Sequence, residues 1–183
     1  LIGEDGKPQP APYSERLHTG YRWYDPHLSG KSPPVGGSNP CVAFPFGHGL
    51  SYTRFAISSP KLRSNAATGT YRVTTRVTNT GKLAGAEVVQ VYLSLPASAN
   101  TLGAAQPPRR LIGFHKVELA PGASQEVSVT IDPAASNHPL SVWSESARGW
   151  MMPQGTYTVW LGRSSSPRDL RRAVAAQRFL HGA

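Results

Sequence analysis

From Thr53 onward, hydrophobic and polar residues alternate in short runs that are separated by turn-forming residues. The run YRVTTRVTN (71–79) places its tyrosine and its valines on one side and Arg72 and Arg76 on the other. A period of two is typical of a β-strand with one buried face. The pattern therefore predicts a strand whose arginines face solvent.

Further segments show the patterns of strands. They are GAEVVQVYLSL (85–95), RRLIGFHKVEL (109–119), QEVSVTI (125–131) and GTYTVWLG (155–162). The segment DLRRAVAAQRFL (169–180) fits a helix by its alanine and arginine content and a strand by its spacing. We expect a strand there, because the edge of a sandwich needs a pairing partner. At least six strands at this spacing predict an all-β, immunoglobulin-like sandwich.

Residues 1–52 differ, because turn-forming residues dominate and few positions follow a period. Stretches rich in proline and glycine flank one compact apolar piece, TGYRWYDP (19–26). We therefore expect an irregular, partly extended N-terminal segment that does not fold alone. The chain begins LIGEDGKPQP, with neither an initiator Met nor a signal segment, and this start favours a fragment or a processed product.

Composition narrows the class of protein. With 39% hydrophobic and 16% charged residues the profile is globular. No apolar run approaches the ~20 residues of a membrane span, so we expect no membrane partner. The formal net charge is +9, but the basic residues are scattered and no groove-reading element accompanies them, so nucleic acid is not an expected partner. Cys41 is the only cysteine, which excludes an internal disulfide.

No cluster of residues indicates catalysis or metal binding. Hydrolysis of a glycosidic bond requires two carboxyl groups beside the bond. No two of the acids share a sequence context that suggests a common cleft, although a pair formed in space stays open: Glu4, Asp5, Glu15, Asp25, Glu87, Glu118, Glu126, Asp132, Glu145 and Asp169. The histidines lack the spacing of metal ligands: His18, His27, His48, His115, His138 and His181. We therefore predict no catalytic, cofactor-binding or metal-binding residue, and no cofactor.

Four single residues still require an interpretation. His48, between two glycines in FPFGHGLSYTRF (44–55), is expected to fix that loop by hydrogen bonds to neighbouring backbone rather than to catalyse. Asp25, which precedes a proline, is expected to form a turn. Ser51 lacks the G-x-S-x-G context of a nucleophile, and Cys41 has no obvious base as a partner.

Two motifs, GYRWYD (20–25) and FPFGHGLSYTRF (44–55), resemble the junction between the second α/β domain and the fibronectin type III-like domain of glycoside hydrolase family 3 enzymes. The resemblance continues through VTNTGKLAGAEVVQVYLSLP (77–96), PPRRLIGFHKVELAPGASQEVSVTI (107–131) and WMMPQGTYTVWLGRSS (150–165). The first two motifs favour the β-glucosidases of the family over its β-xylosidases. The resemblance implies the tail of an α/β domain plus a linker over 1–52 and a fibronectin type III-like domain over 53–183.

The implied function is to support a retaining β-glucosidase. Its partners would be the N-terminal barrel and the α/β sandwich domain of the same enzyme, which bind the β-glucoside. In the family, the aspartate nucleophile and the glutamate acid/base lie upstream of the matched region, so the resemblance implies no catalytic residue here. Large aromatic residues of the junction are expected to anchor the domain interface: Phe44, Phe46, Tyr52 and Phe55.

Two other functions stay open. An autonomous carbohydrate-binding module would contact polysaccharide through exposed aromatic residues such as Trp150 or Trp160. Trp160 falls on the opposite face from the buried residues of its strand, so it is either exposed or covers a domain interface. A polyanion-binding protein would use the positive charge and show steep salt dependence.

Overall fold

The computed structural model describes residue 7 and residues 14–28, 44–58 and 60–177. Within these ranges the elements are α1 (Tyr21–Leu28), β1 (Phe55–Ile57), β2 (Lys61–Asn65), β3 (Thr70–Asn79), β4 (Gly85–Ser94), a 3-10 helix (Ala97–Thr101), β5 (Arg110–Leu119), β6 (Ser124–Ile131), β7 (Val142–Ser144), β8 (Gly149–Met151), β9 (Tyr157–Gly162) and β10 (Arg171–Gln177). No helix in the described ranges has the length and apolar character needed to cross a bilayer.

Two four-stranded antiparallel sheets form the sandwich. In the first sheet, β3 pairs with β6 along one edge and with β2 and β1 along the other. In the second sheet the strand order is β10-β9-β4-β5. Strands β7 and β8 form a separate two-stranded ribbon. The predicted all-β sandwich is confirmed, and β10 confirms a strand rather than a helix in the last segment.

The alternating pattern decides which side chains enter the core. Val73 and Val77 of β3 are at most 1% exposed, whereas Arg72 and Arg76 between and beside them face solvent. The opposite sheet contributes buried side chains to the same cluster: Val89, Val91, Leu93, Val117, Leu119, Tyr157, Val159 and Leu161. Burying each such aliphatic side chain stabilises the fold by roughly 1.5–3 kcal/mol. This core holds the two sheets together.

Strand β4 is buried on both faces, which explains its continuous apolar run. Val89, Val91 and Leu93 point into the core of the sandwich. Gln90 and Tyr92 lie on the other face of the sheet and are 6% and 0% exposed. An exposed sheet face would leave Tyr92 in water, so another part of the chain covers it. That cover is the N-terminal segment.

Asn79 joins several parts of the sandwich at one end. Asn79 is the last residue of β3 and is fully buried. Its Nδ2 donates to the carbonyl oxygens of Leu83 at 2.8 Å and Leu119 at 2.9 Å. Its Oδ1 accepts from the Thr53 hydroxyl at 2.7 Å and from the Gly81 N–H at 3.0 Å. These four bonds use the full capacity of the amide.

The N-terminal segment is more regular than its composition predicts. Tyr21–Leu28 is an α-helix, and the main-chain N–H groups of Trp23 and Tyr24 both bond to the Gly20 carbonyl oxygen. Asp25 therefore lies in a helix and is buried, so the expectation that it forms an ordinary turn is wrong. Residues Tyr21 and Asp25 are four apart and share one helix face. That face packs against the sandwich.

Candidate functional site

The carboxylate of Asp25 fastens helix α1 to the sandwich. Its side chain is 2% exposed, and its Oδ1 accepts a hydrogen bond of 2.7 Å from the hydroxyl of Ser165. Its Oδ2 lies 3.8 Å from Nη2 of Arg109. Ser165 follows β9 and Arg109 directly precedes β5. One carboxylate thus connects the N-terminal segment to the segments next to two strands of the second sheet, β9 and β5.

The charge on Asp25 is stabilised only in part. Burial raises the pKa of Asp25 to about 6, while the Ser165 hydrogen bond and the Arg109 charge oppose that rise. Oδ2 makes no direct hydrogen bond to any described residue. At 3.8 Å, Arg109 acts on it as a nearby charge rather than as a donor. The pKa of this contact is therefore about 6, well above that of an exposed carboxyl group.

Tyr21 covers the outer face of β4. Its ring lies 5.1 Å from that of Phe46 and meets Tyr92 edge-on at 5.9 Å. Its hydroxyl oxygen accepts a 2.7 Å hydrogen bond from the backbone N–H of Leu111. The pairing of β4 with β5 is irregular at this point, because Val91 pairs with Gly113 while Tyr92 pairs with Leu111. A bulge of this kind redirects backbone groups, and here the Leu111 N–H bonds to the helix.

The loop at 44–54 also packs on the outer face of the second sheet. The N–H of Ser165 donates to the carbonyl oxygen of Phe46 at 2.8 Å. Gly47 has a φ of +82°, and a Cβ placed there would lie 2.1 Å from Nε2 of Gln90. That Nε2 already donates to the Arg163 carbonyl oxygen at 2.9 Å. A glycine is needed at position 47 for both its backbone angle and its close approach.

His48 is exposed and stacks on Phe44, with ring centroids 4.5 Å apart and an angle of 12° between the planes. Its main-chain N–H donates to the Pro45 carbonyl oxygen at 3.0 Å. Hydrogen bonding to neighbouring backbone is thus made by the main chain of His48, and its imidazole contributes a stacking contact. Gly49, the other flanking glycine, has open space around the position of a Cβ.

The outer side of this loop presents large apolar side chains to solvent. Leu50 and Tyr52 are 96% and 97% exposed, and Phe44 and Phe46 are 66% and 48% exposed. Phe55 does not belong to this surface, because it is 9% exposed and lies in the sandwich core. The expectation that Phe55 anchors an interface is therefore wrong. Strand β1 begins at Phe55, and the Phe55 ring lies next to Gly85 of β4 in the opposite sheet.

Two acids that are distant in sequence come together beside β9. Arg163 lies between them, with Nη1 at 4.0 Å from Glu87 Oε2 and Nη2 at 3.5 Å from Asp169 Oδ1. Burial raises the pKa of Glu87, and the negative charge of Asp169 adds to that rise. A cation bridges this pair, so the two acids do not face each other across a cleft as an acid and a nucleophile would.

Trp160 supports the Asp25 contact instead of forming a free surface. It is half-buried, and its indole N–H donates to the Ser94 hydroxyl at 2.9 Å. The Arg109 guanidinium lies over its ring, 5.7 Å from the centroid. Sequence reasoning found neither Arg109 nor Ser165 as partners of Asp25. The only signal for Arg109 is its place in a basic pair, and Ser165 has none.

The other candidates from the sequence form no common site in the described part of the chain. The Ser51 hydroxyl accepts a 3.2 Å bond from the Thr53 N–H, an ordinary turn contact. Among the described residues, no group of three or more His, Cys, Asp or Glu is placed to hold a metal ion. Cys41, the side chain of His27 and His181 lie outside what the structure describes.

These features define a class of protein: a β-sandwich of fibronectin type III type whose N-terminal segment is docked on the outer face of one sheet. Residues 87–165 match the family model of the fibronectin type III-like domain. Those residues run from β4 to the segment after β9 that holds Asp25.

Solved structures extend the match beyond that domain. A β-glucosidase of Streptomyces venezuelae, DesR, superposes with a TM-score of 0.69 and 36% identity, over 90% of this chain and 19% of the other. A glycoside hydrolase family 3 β-glucosidase of Bifidobacterium adolescentis gives the same TM-score and identity, over 90% of this chain and 21% of its own.

The curated relatives are β-glucosidases as well. The probable β-glucosidase J of Neosartorya fischeri is 38% identical over 153 residues, which are 80% of this chain and 16% of the relative. The probable β-glucosidase D of Aspergillus flavus is 37% identical over 177 residues, 87% of this chain and 21% of the relative. The chain spans about a fifth of these proteins. In sequence and in structure it corresponds to the C-terminal, fibronectin type III-like region of glycoside hydrolase family 3 β-glucosidases.

Proposed function

We propose that this chain is a non-catalytic supporting part of a retaining β-glucosidase, and that its N-terminal segment joins the sandwich to the catalytic domains. The observation that carries the proposal is the two-sided character of the loop at 44–54. Its inner side is fixed to the sandwich through Phe46 and Gly47, while its outer side exposes Leu50 and Tyr52 almost completely.

An apolar surface on a docked loop is suited to a permanent partner. Burying an aliphatic or aromatic side chain of this size stabilises an association by roughly 1.5–3 kcal/mol. The loop is already ordered by its contacts with Ser165 and Gln90, so little conformational entropy opposes that association. Leu50, Tyr52, Phe44 and Phe46 together would supply the apolar centre of an interface with the α/β domain of the same enzyme.

The domain boundary follows from the same residues. Tyr52 is 97% exposed, whereas the adjacent Thr53 is 8% exposed and bonds to Asn79 inside the sandwich. This change supports a division into the tail of the α/β domain with its linker over 1–52 and the fibronectin type III-like domain over 53–183. Helix α1 then belongs to the first unit in sequence while it packs on the second.

The substrate of the whole enzyme would be a terminal β-glucosyl unit, as the names of the relatives indicate. Hydrolysis with retention needs a nucleophilic carboxylate and an acid/base about 5–5.5 Å apart. In the described part of this chain the acids near one another are bridged by Arg163, and Asp25 is enclosed by Ser165 and Arg109. The barrel and the α/β domain would therefore provide both catalytic groups.

Activity measurements test this proposal directly. The chain alone, incubated with an aryl β-glucoside, is expected to show no turnover, and addition of the missing N-terminal part should restore it. The double variant Leu50→Asp, Tyr52→Ala should weaken reconstitution by about tenfold or more, because it removes apolar contacts without touching the core. Phe114→Asp, at an aromatic position 68% exposed on β5, is the matched control and should reconstitute normally.

Two outcomes would contradict the proposal. Turnover by the purified chain alone would show that catalytic groups lie within it. Reconstitution that is unaffected by the Leu50 and Tyr52 changes would show that the exposed loop is not the joint.

A further inference from the structure

The β7–β8 ribbon carries two exposed tryptophans that directly oppose each other. Trp143 and Trp150 are cross-strand partners, with ring centroids 5.7 Å apart in an edge-on arrangement. They are 43% and 51% exposed. His138 stacks on Trp150 at 4.4 Å with an angle of 18° between the planes. Because His138 covers one face of Trp150, the exposure of Trp150 lies on its other face and edges.

The backbone around this aromatic group is held by the side chains of Arg110, which is half-buried, and Tyr157, which is buried. Arg110 Nη2 donates to the carbonyl oxygens of Pro139 and Ser141, the latter at 3.0 Å. The Tyr157 hydroxyl contacts the carbonyl oxygens of Leu140 at 3.1 Å and Pro153 at 2.7 Å. These contacts fix the segment that carries His138 and the segment that follows Trp150. The rings are thus positioned before any ligand arrives, which lowers the entropic cost of binding.

His138 itself is held in an uncommon conformation. Its backbone φ is +46°, in the left-handed region that residues other than glycine rarely adopt. Its main-chain N–H bonds to the Ala135 carbonyl oxygen at 2.8 Å, and its own carbonyl oxygen accepts from the Ser141 N–H at 3.1 Å. The surrounding structure therefore imposes this backbone, and the result is an imidazole laid flat on Trp150. Such strained positions cluster at binding sites.

Trp150 also forms one wall of a groove of about 720 Å³. Hydroxyl and amide groups line other parts of it, among them Ser98, Thr101, Ser141 and Gln154. Among the described residues that line the groove, Asp132 is the one charged side chain and no lysine or arginine contributes, although the chain has a net charge of +9. A groove without basic residues does not suit an anionic polymer or an acidic protein surface.

A neutral saccharide fits this combination of groups. A β-linked glucose ring has C–H bonds on its flat faces and hydroxyl groups around its rim. The faces can lie on an indole, and the rim can bond to hydroxyl, amide and carboxylate groups beside it. A few polar groups that converge next to an apolar wall are typical of small-ligand sites.

We propose that Trp150, Trp143 and the adjoining groove form a binding site for a neutral β-linked glucan chain. The choice of glucan over other neutral glycans rests on the proposed function, whereas the saccharide site rests on the geometry of the ribbon and groove. Such a site would hold a glucan polymer on the enzyme of the proposed function.

The test is titration calorimetry of the chain with cellohexaose and with laminarihexaose. Binding of at least one is expected, and Trp150→Ala should weaken it about tenfold or more. Trp143→Ala should weaken it less, because Trp143 is not part of the groove lining. Trp150→Phe keeps an aromatic face and should retain most of the affinity. Phe114→Ala removes an exposed aromatic ring elsewhere and should bind as the unaltered chain does.

The outcomes separate this proposal from the proposed function. Absence of binding to both oligosaccharides by the unaltered chain overturns the glucan site, even if reconstitution of β-glucosidase activity succeeds. Equal binding by the unaltered chain and by a folded Trp150→Ala variant, checked by circular dichroism, also overturns it. If Trp150→Ala instead impairs only reconstitution, the ribbon is a protein interface and the glucan site is wrong.

Discussion

Replacement of Asp25 by asparagine should change how the stability of this protein depends on pH. The carboxyl group is 2% exposed, and burial raises its pKa from the ordinary value of 3.8 to about 6. A carboxyl group with a higher pKa in the folded state binds its proton more tightly there. Its stabilising contribution is therefore complete below about pH 3.8 and is lost as the pH rises through about 6.

The size of the effect follows from the pKa difference. Each pKa unit corresponds to about 1.4 kcal/mol, so a rise from 3.8 to about 6 corresponds to about 3 kcal/mol. Asparagine resembles the protonated acid and does not titrate. Between about pH 4 and pH 8, the free energy of unfolding of the unaltered chain should fall relative to that of Asp25→Asn by up to this amount.

Two measurements check this expectation. Urea unfolding at several pH values gives the difference in free energy of unfolding between the two proteins. Hydrogen exchange of the Leu111 amide reports docking of helix α1 directly, because that N–H bonds to the Tyr21 hydroxyl. Its protection should fall with rising pH in the unaltered chain more steeply than in Asp25→Asn. Ser165→Ala removes a bond that favours the ionised form and should raise the pKa of Asp25 further.

A control and a refuting result complete the design. Glu145→Gln removes one negative charge from an exposed position and should leave the pH dependence within about 0.5 kcal/mol of the unaltered chain. If Asp25→Asn behaves as this control does, and Leu111 protection is independent of pH, then the carboxylate does not titrate in a buried contact and the reasoning is wrong.

Three further substitutions test other parts of the structure. Gly47→Ala should destabilise loop docking by about 2–4 kcal/mol, because the backbone φ is +82° and the added Cβ would collide with the side chain of Gln90. Gly49→Ala should change the free energy of unfolding by no more than about 0.5 kcal/mol. Urea unfolding and hydrogen exchange of the Leu111 amide would distinguish the two variants. Asn79→Ala should cost about 3 kcal/mol or more in urea unfolding, since it leaves buried partners unsatisfied. Val91→Ala should cost about 2–3 kcal/mol in the same assay, and a loss below about 1 kcal/mol would show that the core relaxes around it.

The strands of the sandwich could be predicted because their signal is local. Alternation in 71–79 and 125–131 depends only on neighbouring residues, and burial of one sheet face produces it directly. The turn at 120–123 is also determined locally, because Gly122 adopts a φ of +75° that the Pro-Gly pair suits. Strand β4 has a different signal, a continuous apolar run that is typical of a central strand, and it lies between β9 and β5 in its sheet.

The sequence did not show which segment covers the outer face of β4. Helix α1 has eight residues, and short helices depend on tertiary packing rather than on intrinsic propensity. Its aromatic residues and a proline suggested a compact turn, and only the packing of Tyr21 on Tyr92 shows why a helix forms there. Phe55 was assigned to an interface by its neighbours in sequence, although the start of β1 places it in the core.

By itself, the sequence determined six of the strands and the sandwich, because hydrophobic periodicity is written within a few residues of each position, whereas the short strands β1, β2, β7 and β8 were not predicted. Tertiary structure alone decided the site. Asp25 meets Ser165 across 140 positions, and the guanidinium of Arg163 lies between Glu87 and Asp169, which are 82 positions apart. A charge, its burial and its partners arise from long-range packing, and no local pattern of residues encodes the low dielectric that raises the pKa of Asp25.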